Sequence, residues 1–299
     1  MSALCIARRS VIPTAQAAVM AKRDLVLLLA IVAVLFGGAR APLASAAANA
    51  EPNFEVKLDL VAAALDSSGA PTAEVRSAFG LGASSRALAY EYFDTSPLEL
   101  KNAGWSVRLR HKDGKDLDLD YKKRFAISGE NIDAALTEAN RQGFDSSDTN
   151  YAAQVDWTYE KMTLSFSNKK SESAKGYKGT RLPSESDART LLVDRIPGKL
   201  ADWSGRNWGR DRLADSRQHG PVEARDWSGS WQGTDIDLEV VPIRAVSGSG
   251  TETVIELSFK TDTRDEARTL RDKAIGTLRS KGWLAPTDVL KTDLILTRY

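Results

Sequence analysis

Residues 105–123 read WSVRLRHKDGKDLDLDYKK, and their alternation decides the fold. Trp105, Val107 and Leu109 are apolar, with Ser106, Arg108 and Arg110 between them. After Asp113-Gly114, Leu117, Leu119 and Tyr121 alternate with Asp118, Asp120 and Lys122. A period of two sends successive side chains to opposite faces of a strand. An Asp-Gly pair between two such runs signals a hairpin. Two strands are therefore predicted, over 105–111 and 117–123, each apolar on one face and ionic on the other.

The same pattern extends along the chain. Phe54, Val56, Leu58 and Leu60 alternate with Glu55, Lys57 and Asp59, and further strands are predicted over 89–93, 162–166, 236–244 and 253–260. On the last of these Glu256, Ser258 and Lys260 oppose Ile255, Leu257 and Phe259. A final strand is predicted over 290–299. Helices are predicted over 71–79, 131–141, 184–194 and 263–279, with a helical turn over 96–102. Residues 168–180, rich in Lys, Ser and Gly, read as a mobile loop. Residues 126–230 read as irregular, with an insertion at about 126–220. Trp203, Trp208, Trp227 and Trp231 recur there, either as packing residues or as a row on which sugars could stack.

At least five strands thus carry rows of mixed charge, while helices between them need apolar sheet surface to cover. Isolated buried charges are costly. One arrangement meets both demands: a sheet closed on itself, apolar face outward under the helices, ionic face lining a wet channel. Such a channel suits an oligophosphate with divalent ions, because carboxylates hold metal through oxygen and Arg and Lys hold phosphate oxygens.

Tyr92-Phe93-Asp94-Thr95, Ala103-Gly104-Trp105-Ser106-Val107-Arg108-Leu109-Arg110 and Leu119-Asp120-Tyr121-Lys122 together resemble the CYTH family, the triphosphate tunnel metalloenzymes. Order and spacing match over about 35 residues; the match weakens over 53–60 and 236–299 and is absent over 126–220. The resemblance implies an α+β, mainly antiparallel fold: an eight-stranded, closed, tunnel-like β-barrel with flanking helices, spanning 52–299 around the insertion. It implies Mg²⁺ or Mn²⁺ as cofactor and a triphosphate chain as ligand. It places Arg108, Arg110 and Lys122 as phosphate-binding cations, with Lys291 as the family's late Lys and Arg244 as a weaker candidate; Lys57 and Lys260 join that set. Glu55, Asp59, Glu239 and Glu256 are the candidate metal ligands, with Glu55 and Glu256 as catalytic residues. Asp94 and Thr95 read as capping residues rather than substrate contacts.

The pattern departs from the family where the metal should bind. In place of the first-strand Glu-x-Glu-x-Lys stands Glu55-x-Lys57-x-Asp59, and in place of a later Glu-x-Glu stands Glu256-x-Ser258-x-Lys260. Lys in place of Glu swings the local charge by two units against a cation.

Composition sets the remaining bounds. The 299 residues include 41 Lys plus Arg, 40 Asp plus Glu, two His and one Cys, for a formal net charge of +1. That balance gives no footprint for duplex nucleic acid. The first 48 residues hold five of the basic residues and one acid, leaving about −3 on the rest. Lys22-Arg23, the apolar run LVLLLAIVAVLF over 25–36, and Ala44-Ser45-Ala46 form a secretory signal. Twelve residues are too short for a permanent span, since a bilayer core takes about 20. The protein is expected to be exported, with organellar targeting or membrane anchoring as the weaker readings. Cys5, the one cysteine, would leave with the signal, and the mature chain would have neither disulfide nor thiol chemistry. Two functions stay open: a secreted metal-dependent hydrolase of a triphosphate or polyphosphate, or a non-catalytic exported module on the same fold that binds a polyanion or carbohydrate.

Overall fold

The computed structural model describes residues 47–299; the signal-segment reading falls almost wholly outside them. Nine strands close into one barrel: β1 (Asn53–Asp59), β2 (Arg86–Asp94), β3 (Trp105–Lys112), β4 (Leu117–Ala126), β5 (Ala152–Trp157), β6 (Met162–Glu172), β7 (Arg217–Trp231), β8 (Thr234–Arg244) and β9 (Thr251–Thr261). Their order around the barrel is β1-β5-β6-β4-β3-β2-β7-β8-β9. The β1–β5 pair is parallel and the other pairs are antiparallel. The helices are α1 (Ala73–Phe79), α2 (Glu99–Asn102), α3 (Ile132–Arg141), α4 (Glu185–Asp194), α5 (Gly198–Ala201), α6 (Trp208–Ala214), α7 (Arg264–Ser280) and α8 (Lys291–Arg298). None among the described residues is long and apolar enough to cross a membrane.

The barrel is greasy outside and ionic inside, as the alternation predicts. Phe54, Val56 and Leu58 of β1 join Val107 and Leu109 of β3, Leu119 and Tyr121 of β4, and Leu257 and Phe259 of β9 in the outer core. Helix α7 covers β1 and β9 with Ala267, Leu270, Ala274 and Leu278 buried; the Thr263 side chain accepts from the Glu266 N–H to start it. Burying four such side chains contributes on the order of 5 kcal/mol.

The YFDT motif does structural work. The Asp94 carboxylate accepts N–H bonds from Thr95 at 2.8 Å, Leu100 at 3.0 Å and Lys101 at 2.9 Å, and Thr95 Oγ1 accepts from the Glu99 N–H. These two side chains fix the chain's exit from β2 into α2. Gly104, at φ 76°, then turns the backbone into β3.

Three elements differ from the sequence reading. The stretch 126–220 supplies β5, β6 and the start of β7, so only the helical loops within it lie outside the barrel. The segment read as a loop from 168 continues β6 to Glu172. The C-terminal segment read as a closing strand is α8. That helix buries Ile295 and Leu296 against the apolar end of the lumen, a surface that a tenth strand in the ladder would leave uncovered. With β5 and β7 added and the C-terminal strand removed, the barrel has nine strands rather than eight.

Candidate functional site

The inward residues follow from register. Glu55 lies opposite Lys260, Lys57 opposite Ser258 and Asp59 opposite Glu256. Arg108 lies opposite Asp120 and Arg110 opposite Asp118; Tyr92 neighbours Arg108 on its other side. Asp59, Glu256, Glu239 and Asp226 stand side by side across four adjacent strands. Four carboxylates in one row repel, and the fold answers with cations from elsewhere.

The main answer comes from α8. Lys291, at its first turn, donates to Glu239 Oε1 at 3.0 Å and Glu256 Oε1 at 3.2 Å. The Tyr90 hydroxyl donates to the same Glu239 oxygen at 2.8 Å. Burial would raise the Glu239 pKa, but the Lys291 ammonium and these bonds hold it below the ordinary carboxylate range. Burial would lower Lys291, but Glu239 and Glu256 more than offset it and keep it charged. Asp59 accepts the Val289 N–H at 2.7 Å, and burial still pushes it up to about 7.

A second charged knot sits on β1, β4 and β5. Lys57 Nζ lies 2.8 Å from Glu55 Oε2 and 2.9 Å from Asp156 Oδ1. Gln154 Nε2 donates to the same two carboxylates, at 2.7 and 2.6 Å. Lys122 stands 3.9 Å from Asp156. Burial, with Lys57 and Arg124 nearby, brings Lys122 down to about 8 although Asp156 and Asp120 oppose the shift. Arg108 donates to Asp120 Oδ2 at 3.0 Å, and its charge helps Lys291 hold Glu239 down.

The two ends of the lumen differ. At one end Arg110 donates through Nε and Nη2 to Asp118, Lys260 reaches Glu55 only at 3.8 Å, Lys112 reaches Asp226 at 4.0 Å, and Lys169 is exposed. Burial lowers Lys169, and the nearby Lys260 and Arg108 lower it further against Asp120 and Glu55. At the other end Leu88, Tyr90, Tyr92, Val222, Ala224, Val241, Ile243 and Val254 turn inward under Ile295 and Leu296. Lys169 and Lys260 are exposed at the cationic end, and α8 packs over the apolar end.

The structure brings Glu55, Lys57, Asp59, Arg108, Arg110, Lys122, Glu239, Glu256, Lys260 and Lys291 to one lumen. Arg244 is elsewhere: it is exposed, its Nη1 donates to the Arg298 carbonyl and its guanidinium lies over the Tyr299 ring. Period two explains this, since Asp237, Glu239, Val241 and Ile243 take the inner face and Arg244 falls on the outer one. Reading the residues missed Gln154, Asp156 and Lys169 because β5 is short and the C-terminal half of β6 looked like loop; the alternation of Gln154 and Asp156 with Val155 and Trp157 was the available signal.

A divalent ion does not fit the acids present. Among the described residues no three His, Cys, Asp or Glu side chains converge to hold one. The Glu239–Glu256 pair is bridged by Lys291 and the Glu55–Asp156 pair by Lys57. Among the described residues the four Trp form no exposed row, and Trp208, like Trp203, is half-buried against the core. Trp227 and Trp231 are buried, and Trp203 lies edge-on to Trp105 with its ring centroid 5.4 Å away. A surface hollow of about 530 Å³ beside Trp203, lined also by Gln142, Gly198, Lys199 and Asp202, belongs to the helical loops and not to the lumen.

No family model and no curated protein matches the chain. Solved structures of the CYTH type do. HpAC1 from Hippeastrum, a candidate adenylyl cyclase with a dominant triphosphatase activity, is 17% identical over 81% of this chain and 93% of its own, at TM-score 0.48. A candidate adenylate cyclase from Bacillus halodurans is 12% identical over 81% of this chain and 97% of its own, at TM-score 0.47. The PH1819 protein from Pyrococcus horikoshii is 14% identical over 80% and 98%, at TM-score 0.39.

Proposed function

We propose that this chain is an exported binding protein whose lumen takes the phosphate chain of an oligophosphate through its cationic end. The observation that supports this reading most is the crowding of cations there. Arg110, Lys112, Lys169 and Lys260 share one mouth with loose or solvent-exposed partners, and Arg108 and Lys122 stand behind them. Burial and neighbouring cations depress both Lys122 and Lys169, against the pull of nearby acids. An arriving polyanion relieves that repulsion and gains charge-assisted hydrogen bonds. The packing of α8 over the apolar end suits holding a chain end rather than threading a polymer. Hydrolysis fits less well, since three of the four carboxylates that would carry a metal, Glu55, Glu239 and Glu256, are already engaged by lysines.

Calorimetric titration with tripolyphosphate, run in EDTA and again in Mg²⁺, tests the reading. Binding is expected, weakening as salt rises, and Arg110→Ala is expected to loosen it about tenfold, the value of one charge-assisted bond pair. No heat under either condition, or an unchanged affinity in Arg110→Ala, overturns the proposal.

A further inference from the structure

The lumen contains two acid pairs, and each has a lysine ammonium seated between its oxygens. Lys57 bridges Glu55 and Asp156 at 2.8 and 2.9 Å. Lys291 bridges Glu239 and Glu256 at 3.0 and 3.2 Å. One ammonium comes from a barrel strand and the other from the terminal helix, yet each bridges two carboxylates on neighbouring strands.

We infer that Lys57 and Lys291 are resident cations that substitute for divalent ions, so that the chamber excludes Mg²⁺ and Mn²⁺ and holds its anion with side chains alone. Three features carry this. First, an ion bridging either pair would sit where the ammonium nitrogen now sits, because Mg²⁺ needs oxygens at about 2.0–2.1 Å and both pairs offer their facing oxygens to Nζ. Second, the same oxygens carry additional donors: Tyr90 on Glu239 and Gln154 on Glu55 and Asp156. Third, the lysines cannot swing away at little cost. Lys57 lies within the β1 ladder between β5 and β9, and Lys291 is fixed by the burial of Ile295 and Leu296 one turn later. A divalent ion would therefore meet a like charge, and facing oxygens of Glu239, Glu55 and Asp156 that already accept a second donor.

The test uses free Mn²⁺, read by its electron paramagnetic resonance signal, titrated against the full chain without any phosphate. The native protein is expected to leave the signal unattenuated up to millimolar ion. Lys291→Gln, which frees Glu239 and Glu256, is expected to gain Mn²⁺ uptake, and Lys291→Arg, which keeps the charge, is expected not to. Stoichiometric uptake by the native chain at micromolar ion overturns the inference, as does a folded Lys291→Gln that takes up none. If Lys291→Gln does not fold, the native titration decides alone. The inference also rests on the oligophosphate reading in one respect: tripolyphosphate should bind in EDTA as tightly as in Mg²⁺, and a tenfold gain from Mg²⁺ counts against it. Absence of tripolyphosphate binding in both conditions removes the proposed function, whereas the Mn²⁺ result stands apart from that outcome.

Discussion

The two ends of the lumen share the same strands and the same face, yet they differ in chemistry. Along β8 the inward side chains run Asp237, Glu239, Val241, Ile243; along β9 they run Lys260, Ser258, Glu256, Val254. Halfway along each strand an ionic wall becomes an apolar one. Charges at the open end keep part of their hydration, and so they need only loose pairing. Apolar side chains at the other end need a cover, and α8 provides it. The terminal helix is therefore both a seal, through Ile295 and Leu296, and a cation carrier, through Lys291.

The largest effect that could break this comparison lies under the seal. Ile295 is fully buried among Tyr92, Val222, Val241 and their neighbours. Ile295→Ala should cost about 3 kcal/mol of unfolding free energy, the usual size for a buried aliphatic side chain cut to Ala. Urea denaturation measures it. A loss below about 1 kcal/mol would mean that α8 rests on the barrel without closing it.

A smaller effect, of opposite sign, belongs to the ionic half. Asp226 is buried in the row of acids, and burial together with Asp237 raises it to about 6 although Lys112 pulls the other way. An acid raised in the folded state binds its proton more tightly there than when unfolded. Stability from this group is therefore present below the unfolded pKa of 3.8 and is lost as pH rises to about 6. Asp226→Asn removes that loss. Relative to the native chain it should gain on the order of 2 kcal/mol between pH 4 and pH 8, read by thermal or urea unfolding at both values. A difference independent of pH would show that this carboxylate is as well solvated as the half-exposed Asp118.

The sequence conveyed the barrel because period two is loud wherever charge and grease alternate strictly, as in 105–123, and the structure keeps that hairpin in register from Trp105–Lys123 to His111–Leu117. It failed where the signal is quiet. Strand β7 carries Gly220, Pro221, Ser228, Gly229 and Ser230, which break the alternation and make this stretch read as irregular; Gly229 is needed because a Cβ there would lie 2.1 Å from the Gly80 carbonyl oxygen. The run Leu294-Ile295-Leu296 fits a strand or a buried helix equally well by pattern. What decides between them is the apolar end of the lumen, and no local stretch of chain displays that surface. The placement of Lys291 was unreadable for the same reason: the family resemblance suggested a cation near the end of the chain, but only the helix shows that it lands on Glu239 and Glu256. Arg108, Arg110 and Lys122 were legible because they sit inside strands whose face was already fixed by their apolar neighbours.

The smallest expected change sharpens the contrast from the open side. Arg110 makes the best-formed ion pair of the mouth, with Nη2 2.8 Å and Nε 3.1 Å from Asp118 Oδ2. On geometry alone it would rank with the buried pairs. Yet the Asp118 side chain is 42% exposed, and a pair so wetted gains little over its hydrated parts. Arg110→Ala should therefore shift unfolding free energy by no more than about 0.5 kcal/mol, while adding salt should leave that shift near zero. A cost above about 1.5 kcal/mol would place the mouth in the same dry regime as the sealed end. Stability that barely moves while tripolyphosphate affinity drops would instead show that Arg110 is held ready for an external anion and not for the fold.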